Sequence, residues 1–358
     1  MKAIKIQTGS TAAVVDVPLP RLRPDSVIVR TVAVALNPVD WKHVRFVPKT
    51  EGCTAGSDFA GIVRKVGAKV TTLRPGDRVA GWTHGGNISN CEDGSFAEYV
   101  VANEGIMLKI PDGVSFAEAA TLGVGLSTVC QGLYQSLSVP LPNEPGYERL
   151  TLLVYGGSTA TGTLAIQFAK MSGLDVITTS SPHNYGMLES LGADAVFDYS
   201  LPDVGDRIRK YTDNKLYYAF DCIATDASAR ICADALSDDV AMKAPMYSAV
   251  LYCVFPRQDV QVNVTVAYTI FGSSFNKPEL GPEEFPASKE DYEFGKRFWK
   301  ISEKLLREGQ FKVHPFEARS GGLEAVLDGL DELMRGEVRG KKLVYMLSSA
   351  GSAGVVPR

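Results

Sequence analysis

One stretch constrains this chain more than any other: Val154–Lys170, VYGGSTATGTLAIQFAK, where an apolar run gives way to two glycines and small hydroxyls, then to an amphipathic helical pattern. Glycines let another group approach the backbone closely. The start of a helix leaves N–H groups unpaired and partially positive, which suits a pyrophosphate. GGSTATG does not match the strict G-x-G-x-x-G pattern, and a tight turn would produce it equally well. Its surroundings add what the turn lacks. From Leu150 to about Phe271 the strand-like runs LTLLVY, LDVITTS, AVFDY and LYYAFDC are separated by helical segments. That alternation implies βαβ units and a parallel sheet. The expectation is a doubly wound α/β domain with Ser158, Thr159, Ala160 and Thr161 at a dinucleotide's phosphates.

Which dinucleotide depends on charge at the end of the second strand. An acid about 20 residues beyond the glycines would take the ribose 2′-OH of NAD. The sequence there, TTSSPHNY, has none. Ser181, Pro182, His183 and Asn184 offer hydroxyl, imidazole and amide groups instead, and no carboxylate repels a 2′-phosphate. NADPH is the expected cofactor. A Ser-Pro turn that only caps the next helix is the plainer alternative.

Before Leu150 the pattern differs. DSVIVRTVAVALNP, FAGIVRKVG, DRVAGW and FAEYVVAN are short β-type runs between turn residues, which reads as a β domain. Ser115 and Glu118 form a capping-box signature ahead of a buried helix reaching Gln135, and the prolines of VPLPNEPGYER supply a linker. With 358 residues, two domains are expected. The expected layout is a β domain over 1–145, the α/β domain over 146–294, a return to the first over 295–348, and an appended small-residue tail over 349–358. A formal charge of -4 without a basic run excludes a nucleic-acid partner. The chain shows neither a signal-like start nor an apolar run of about 18 residues, so a cytoplasmic protein without membrane contact is expected. Six cysteines scattered without metal spacing read as reduced, mostly buried thiols.

ALNPVDWK, GSDFAGIVRKVG, RPGDRVAGW, GSFAEYV, the glycine turn and RGKKLV follow one another in an order that resembles the medium-chain dehydrogenase/reductase superfamily. VYGGSTAT, SPHN, FDY, DCI, TIFG and RGKKLV narrow the likeness to its quinone-reductase-like branch, and within that to fungal trans-acting enoyl reductases of polyketide biosynthesis, the lovastatin-pathway type. The resemblance covers nearly all of 1–347. It implies a GroES-like β domain plus a Rossmann domain, and NADPH-dependent reduction of an α,β-unsaturated thioester on the carrier protein of a polyketide synthase.

The resemblance also implies roles for residues. Zinc-bearing relatives have Cys where this chain has Pro38 or Val39, and a His-Glu pair where it has Ser57 and Asp58. Their four-cysteine loop is reduced here to Cys91, while His43 and His84 stand apart from metal-spaced partners. Metal-free chemistry is the implication. Lys42 and Thr128 are placed at the nicotinamide end as catalytic candidates. Val39, Asp40, Trp41, Tyr199, Val250, Leu251, Leu343 and Val344 join Lys42 and the two loops as cofactor contacts. Thr121, Leu122, Gly123, Val124, Gly125, Leu126, Ser127 and Thr128, with Ala267, Tyr268, Thr269, Ile270 and Phe271, line an apolar acyl slot. The relatives suggest a monomer. Two other readings stay open: a free-standing NADPH quinone or enal reductase, and a non-catalytic NADPH-binding scaffold.

Overall fold

The structure, a computed structural model, describes residues 1–347 except 145, 147, 148, 242, 282 and 283. The expected tail over 349–358 lies outside the described residues. The chain divides into two units, one formed by Met1–Val124 with the chain from Tyr268 onward, the other by Gly125–Ala267.

In the first unit, β1 (Lys2–Gln7) and β2 (Thr11–Asp16) form an antiparallel pair. The long apolar β3 (Ser26–Ala35) is followed by helix α1 (Pro38–Arg45), then by β4 (Asp58–Val66), β5 (Arg78–Trp82), β6 (Tyr99–Asn103) and β7 (Met107–Lys109). Ser115 caps the short α2 (Phe116–Ala119) with Glu118 reciprocating, as the capping-box signature implies. The helix expected to run unbroken to Gln135 does not. It stops after α2, restarts as α3 (Gly123–Val129), and continues as a π-helical turn over Cys130–Ser136.

The second unit continues with β8 (Thr151–Tyr155), α4 (Ala160–Met171), β9 (Asp175–Thr179), α5 (Tyr185–Ser190), β10 (Ala195–Phe197), α6 (Val204–Tyr211), β11 (Tyr218–Asp221), α7 (Asp226–Ala235), β12 (Met246–Ala249) and β13 (Gln261–Val264). Its six strands pair in the order β10-β9-β8-β11-β12-β13, all parallel. Renumbered from β8, that is 3-2-1-4-5-6, the doubly wound Rossmann order. The expected α/β architecture is present. Leu153, Ile177, Ala219, Tyr247, Ile208 and Cys232 are among the side chains that fill the core beside this sheet.

Back in the first unit, α8 (Lys289–Arg307), β14 (Phe316–Arg319), α9 (Gly322–Met334) and β15 (Lys342–Met346) complete a seven-stranded sheet in which β15 lies antiparallel to β3. Val34, Leu36, Phe96, Val326, Leu330 and Leu343 form one of its cores.

The observed junctions, after Val124 and after Ala267, fall earlier than the expected 145/146 and 294/295. The reason is packing that local sequence does not display. Ser136 donates to the Ser248 hydroxyl at 2.8 Å, and Asn263 donates to the Ser136 carbonyl at 3.1 Å, so the helix ahead of the proline linker belongs with the parallel sheet. Tyr268 and Phe271 pack against Trp82 with ring centroids 5.1 and 4.7 Å away, so the segment after Ala267 already belongs to the first unit.

The cysteine expectation needs one correction. Cys53 and Cys91 are joined as a disulfide, brought together because the backbone of Thr54 pairs with the Cys91 carbonyl at 3.0 Å. Outside that disulfide, Cys130 and Cys232 are buried, and Cys222 and Cys253 are half-buried.

Candidate functional site

In the parallel-sheet unit the site is built at the carboxyl ends of β8 and β9, beside the point where strand order reverses. Gly156 leaves β8 with φ +82°, a conformation that favours glycine, and Ile223 packs where its Cβ would be. A Cβ on Gly162 would lie 2.3 Å from the Gly156 carbonyl oxygen, so only glycine allows α4 to start so close to the strand. Thr159 caps that helix: its hydroxyl donates to the Gly156 carbonyl at 2.8 Å and accepts from the Gly162 N–H at 2.9 Å. Thr179 fastens the turn from β9, accepting from the Gly156 N–H at 3.0 Å. Ser158 to Thr161 stay half-exposed at the rim. This glycine cradle fits a dinucleotide pyrophosphate: Thr159 takes the Gly162 and Thr163 N–H groups, while those of Ala160 and Thr161, earlier in the first turn, precede any intrahelical acceptor.

Ser181 to Asn184 follow β9, with Pro182–Asn184 as a single 3-10 turn. The Ser181 hydroxyl lies 3.2 Å from the hydroxyl of Tyr199, which is 46% exposed after β10. Two predicted cofactor contacts 18 residues apart thus meet at one rim. His183 is exposed beside them. Val250 packs against the core, while Leu251 is exposed after β12.

Under the neighbouring strand end lies a group the sequence reading missed. The buried Asp221 accepts from the N–H groups of Ile223 and Ala224, each at 2.9 Å, and from the Tyr247 hydroxyl at 2.8 Å. It fixes the turn that presses Ile223 onto Gly156. Burial and the Asp221 charge push the Tyr247 hydroxyl's pKa well up, so it remains a donor. Thr128 is buried in the turn just before the π-helical segment, a distortion frequent at functional sites.

In the β unit, α1 presents Lys42 half-buried. Among the described residues no acid pairs with it; its ammonium lies 5.8 Å from the Trp41 ring centroid. Burial lowers its pKa, easing proton release. Asp40, expected as a cofactor contact, has its side chain turned to structural bonds. Fully buried, it closes the capping box of α1 by accepting from the Asn37 N–H at 2.7 Å, and it accepts from the Ser57 hydroxyl at 2.7 Å. Burial pushes its pKa up to about 7, opposed by those two bonds and reinforced by the nearby Asp58.

Ser57 and Asp58 occupy the positions at which zinc-bearing relatives were expected to have His and Glu. Asp58 is completely buried and pairs with the buried Lys342 of β15. Its other oxygen accepts from the Val124 N–H at 2.7 Å, and Lys342 also donates to the Thr121 carbonyl at 3.1 Å. This pair explains why the helix restarts at Gly123. Leu343 and Val344, expected at the cofactor, have their side chains in the sheet interior, because alternation on β15 and its pairing with β3 leave both faces covered.

His43 and His84 are core residues here. Lys277 donates to His43 Nε2 at 2.7 Å and to Glu279 at 2.6 Å, and lies 4.5 Å from the Tyr268 ring centroid. Burial, then the Lys277 charge, hold both imidazoles well below the usual histidine pKa. His84 packs against Tyr268, the ring centroids 4.2 Å apart. Of the expected acyl-slot residues, Leu122, Leu126, Ser127 and Ile270 are buried, whereas Val124, Ala267, Thr269 and Phe271 keep part of their surface exposed. Among the described residues no three His, Cys, Asp or Glu side chains gather as a metal site. No described helix is long and apolar enough to cross a membrane.

A parallel Rossmann unit with a glycine turn at its first strand, inserted into a β unit of the GroES-like kind, defines the class. The alcohol dehydrogenase GroES-like domain matches residues 23–112 and the zinc-binding dehydrogenase family matches 160–242. The chain is an oxidoreductase of the medium-chain dehydrogenase/reductase superfamily, and within it belongs to the trans-enoyl reductase family. It is 44% identical to the trans-enoyl reductase ACTTS2 of Alternaria alternata, covering 97% of this chain and 98% of that protein. It is 45% identical to the trans-enoyl reductase resD of Aspergillus sclerotiorum, covering 96% and 98%. Among solved structures the CurK enoyl reductase superposes with TM-score 0.76 at 17% identity over 97% of this chain and 99% of that one, a likeness of fold.

Proposed function

We propose that this protein is an NADPH-dependent, metal-free enoyl reductase acting in trans on a carrier-protein-bound polyketide, as a monomer in the cytoplasm, for a synthase that lacks its own working reductase. The observation that carries the reading is likeness over 96–97% of the chain to named trans-enoyl reductases in a chain with a glycine cradle and no acid in the TTSSPHNY stretch after its second strand. Ser158 to Thr161 hold the pyrophosphate through helix-start N–H groups. Ser181, His183, Asn184 and Tyr199 receive the 2′-phosphate.

When bound, the nicotinamide supplies a hydride for the β-carbon of the unsaturated thioester. The chain's own residues then deal with negative charge on the thioester oxygen and a proton for the α-carbon. Lys42, half-buried and without an acidic partner among the described residues, offers positive charge and a releasable proton. Thr128 offers a hydroxyl to the carbonyl. Tyr268 and Phe271, packed against Trp82 and His84, form an apolar wall for the chain.

The test is turnover of NADPH and of NADH with enoyl-pantetheine thioesters of several lengths and with small quinones. The expected result is NADPH oxidation with the thioesters, and a fall of about 100-fold in kcat/KM for Lys42→Ala. NADPH left untouched by every thioester, or quinones reduced far faster, overturns the proposal.

A further inference from the structure

We propose that Asp58 and Lys342 are positioning residues for the acyl chain, clamping both ends of the Thr121–Val124 backbone in a fixed shape. The proposal rests on the reading above that this run lines the substrate slot. The two side chains come from β4 and β15, 284 residues apart, and meet inside the β unit with 0% and 5% of their surface exposed. Each has one bond to the other and one to the run: Asp58 takes the Val124 N–H at 2.7 Å, and Lys342 donates to the Thr121 carbonyl at 3.1 Å. Val124 lies in the first turn of α3, and its N–H goes to the Asp58 carboxylate. Gly123 sits between the two anchors with so little room that a Cβ would fall 2.4 Å from the Asp58 carboxylate and 2.7 Å from the Gly81 carbonyl oxygen.

Stability alone gives little reason for this arrangement. Burying an ammonium and a carboxylate costs desolvation that their attraction barely repays, and well-packed apolar residues often hold a fold as well or better. What apolar residues cannot supply is direction. A donor and an acceptor fixed to one another hold the carbonyl of residue 121 and the N–H of residue 124 at set positions, and with them the partly exposed Val124 side chain. Ser57 bonds Asp40 in α1 from the residue beside Asp58, so the anchor for the acyl run adjoins the one for the helix that presents Lys42.

Two double variants test this without leaving a lone buried charge. In Asp58→Asn/Lys342→Met the amide oxygen still accepts from Val124, but the Thr121 carbonyl loses its donor. In Asp58→Asn/Lys342→Gln a neutral donor is returned. The readouts are KM and kcat for an enoyl-pantetheine, calorimetric binding of the saturated acyl-pantetheine, the NADPH Kd and the melting temperature. The Met variant should raise KM and weaken acyl-pantetheine binding about tenfold, the effect of one buried hydrogen bond. Its NADPH Kd should stay within about twofold. The Gln variant should recover most of the loss. Unchanged KM and acyl binding in the Met variant overturn the positioning role, as does a loss that spreads equally to NADPH binding and melting. A wild-type protein that binds no acyl-pantetheine overturns the substrate reading itself, and this inference with it.

Discussion

The two units hold their functional backbone by opposite means. In the parallel-sheet unit, the turn after β8 is held by neutral groups close in sequence, with Thr159 bonding Gly156 and Gly162 and Thr179 reaching across from the next strand. In the β unit the comparable task falls to buried charges from distant strands, Asp58 and Lys342, with Asp40 beside them. A site that receives phosphates needs unpaired N–H groups and no competing charge. A site that receives an uncharged acyl chain can keep charges behind its wall, provided they are paired.

Breaking the charged side should have the larger effect. Lys342→Met alone leaves Asp58 buried and unpaired, and should lower unfolding free energy by about 3–5 kcal/mol in a denaturant titration. A loss no greater than that of an exposed lysine would mean that the pair does not bear on the fold.

Asp40 predicts a pH signature of the same unit. Its pKa is raised to about 7 in the folded protein against an ordinary value near 3.8. Between those values the folded form keeps a proton that the unfolded chain has released, so its contribution to stability falls as pH rises from about 4 to about 7 and levels off above. Asn37, Ser57, Asp58, Lys342 and Tyr268 are the polar groups facing it. Asp40→Asn should remove up to about 4 kcal/mol of this dependence, read as a flatter plot of unfolding free energy against pH. A slope equal to wild type would put the Asp40 proton elsewhere.

The neutral side should yield least. Thr159→Ala removes one helix cap and should cost about 1 kcal/mol of stability. It should also weaken NADPH binding several-fold, seen by fluorescence titration, while leaving acyl-pantetheine binding unchanged. A larger loss than that of Lys342→Met would invert the contrast between the two units.

How far each unit can be read from sequence follows from the same difference. Gly156, Thr159 and Gly162 are neighbours, so the turn, its cap and its place between strand and helix are written in one short stretch. The absent acid in TTSSPHNY is visible in the same way. The meeting of Ser181 with Tyr199 was half legible, since both follow strands whose order had to be known first. Asp58 and Lys342 carry no spacing that links them, and each taken singly looks like a strand-end charge. Nothing in the order of residues around Asp40 shows that it is buried and bonded by Ser57. The break at Gly123 and the π-helical turn after Thr128 were hidden because an apolar run has the same pattern whether one helix or two are made from it.

The strand–helix alternation, the glycine turn and the family follow from residue order, because hydrophobic period, glycine placement and motif order are local or sequential properties. Where the units divide, which carboxylates are paired, and that Cys53 meets Cys91 come only from how the chain folds. Those outcomes depend on burial and on which distant strands become neighbours, and in Asp58 and Lys342 the free energy of a charge turns on a partner 284 residues away.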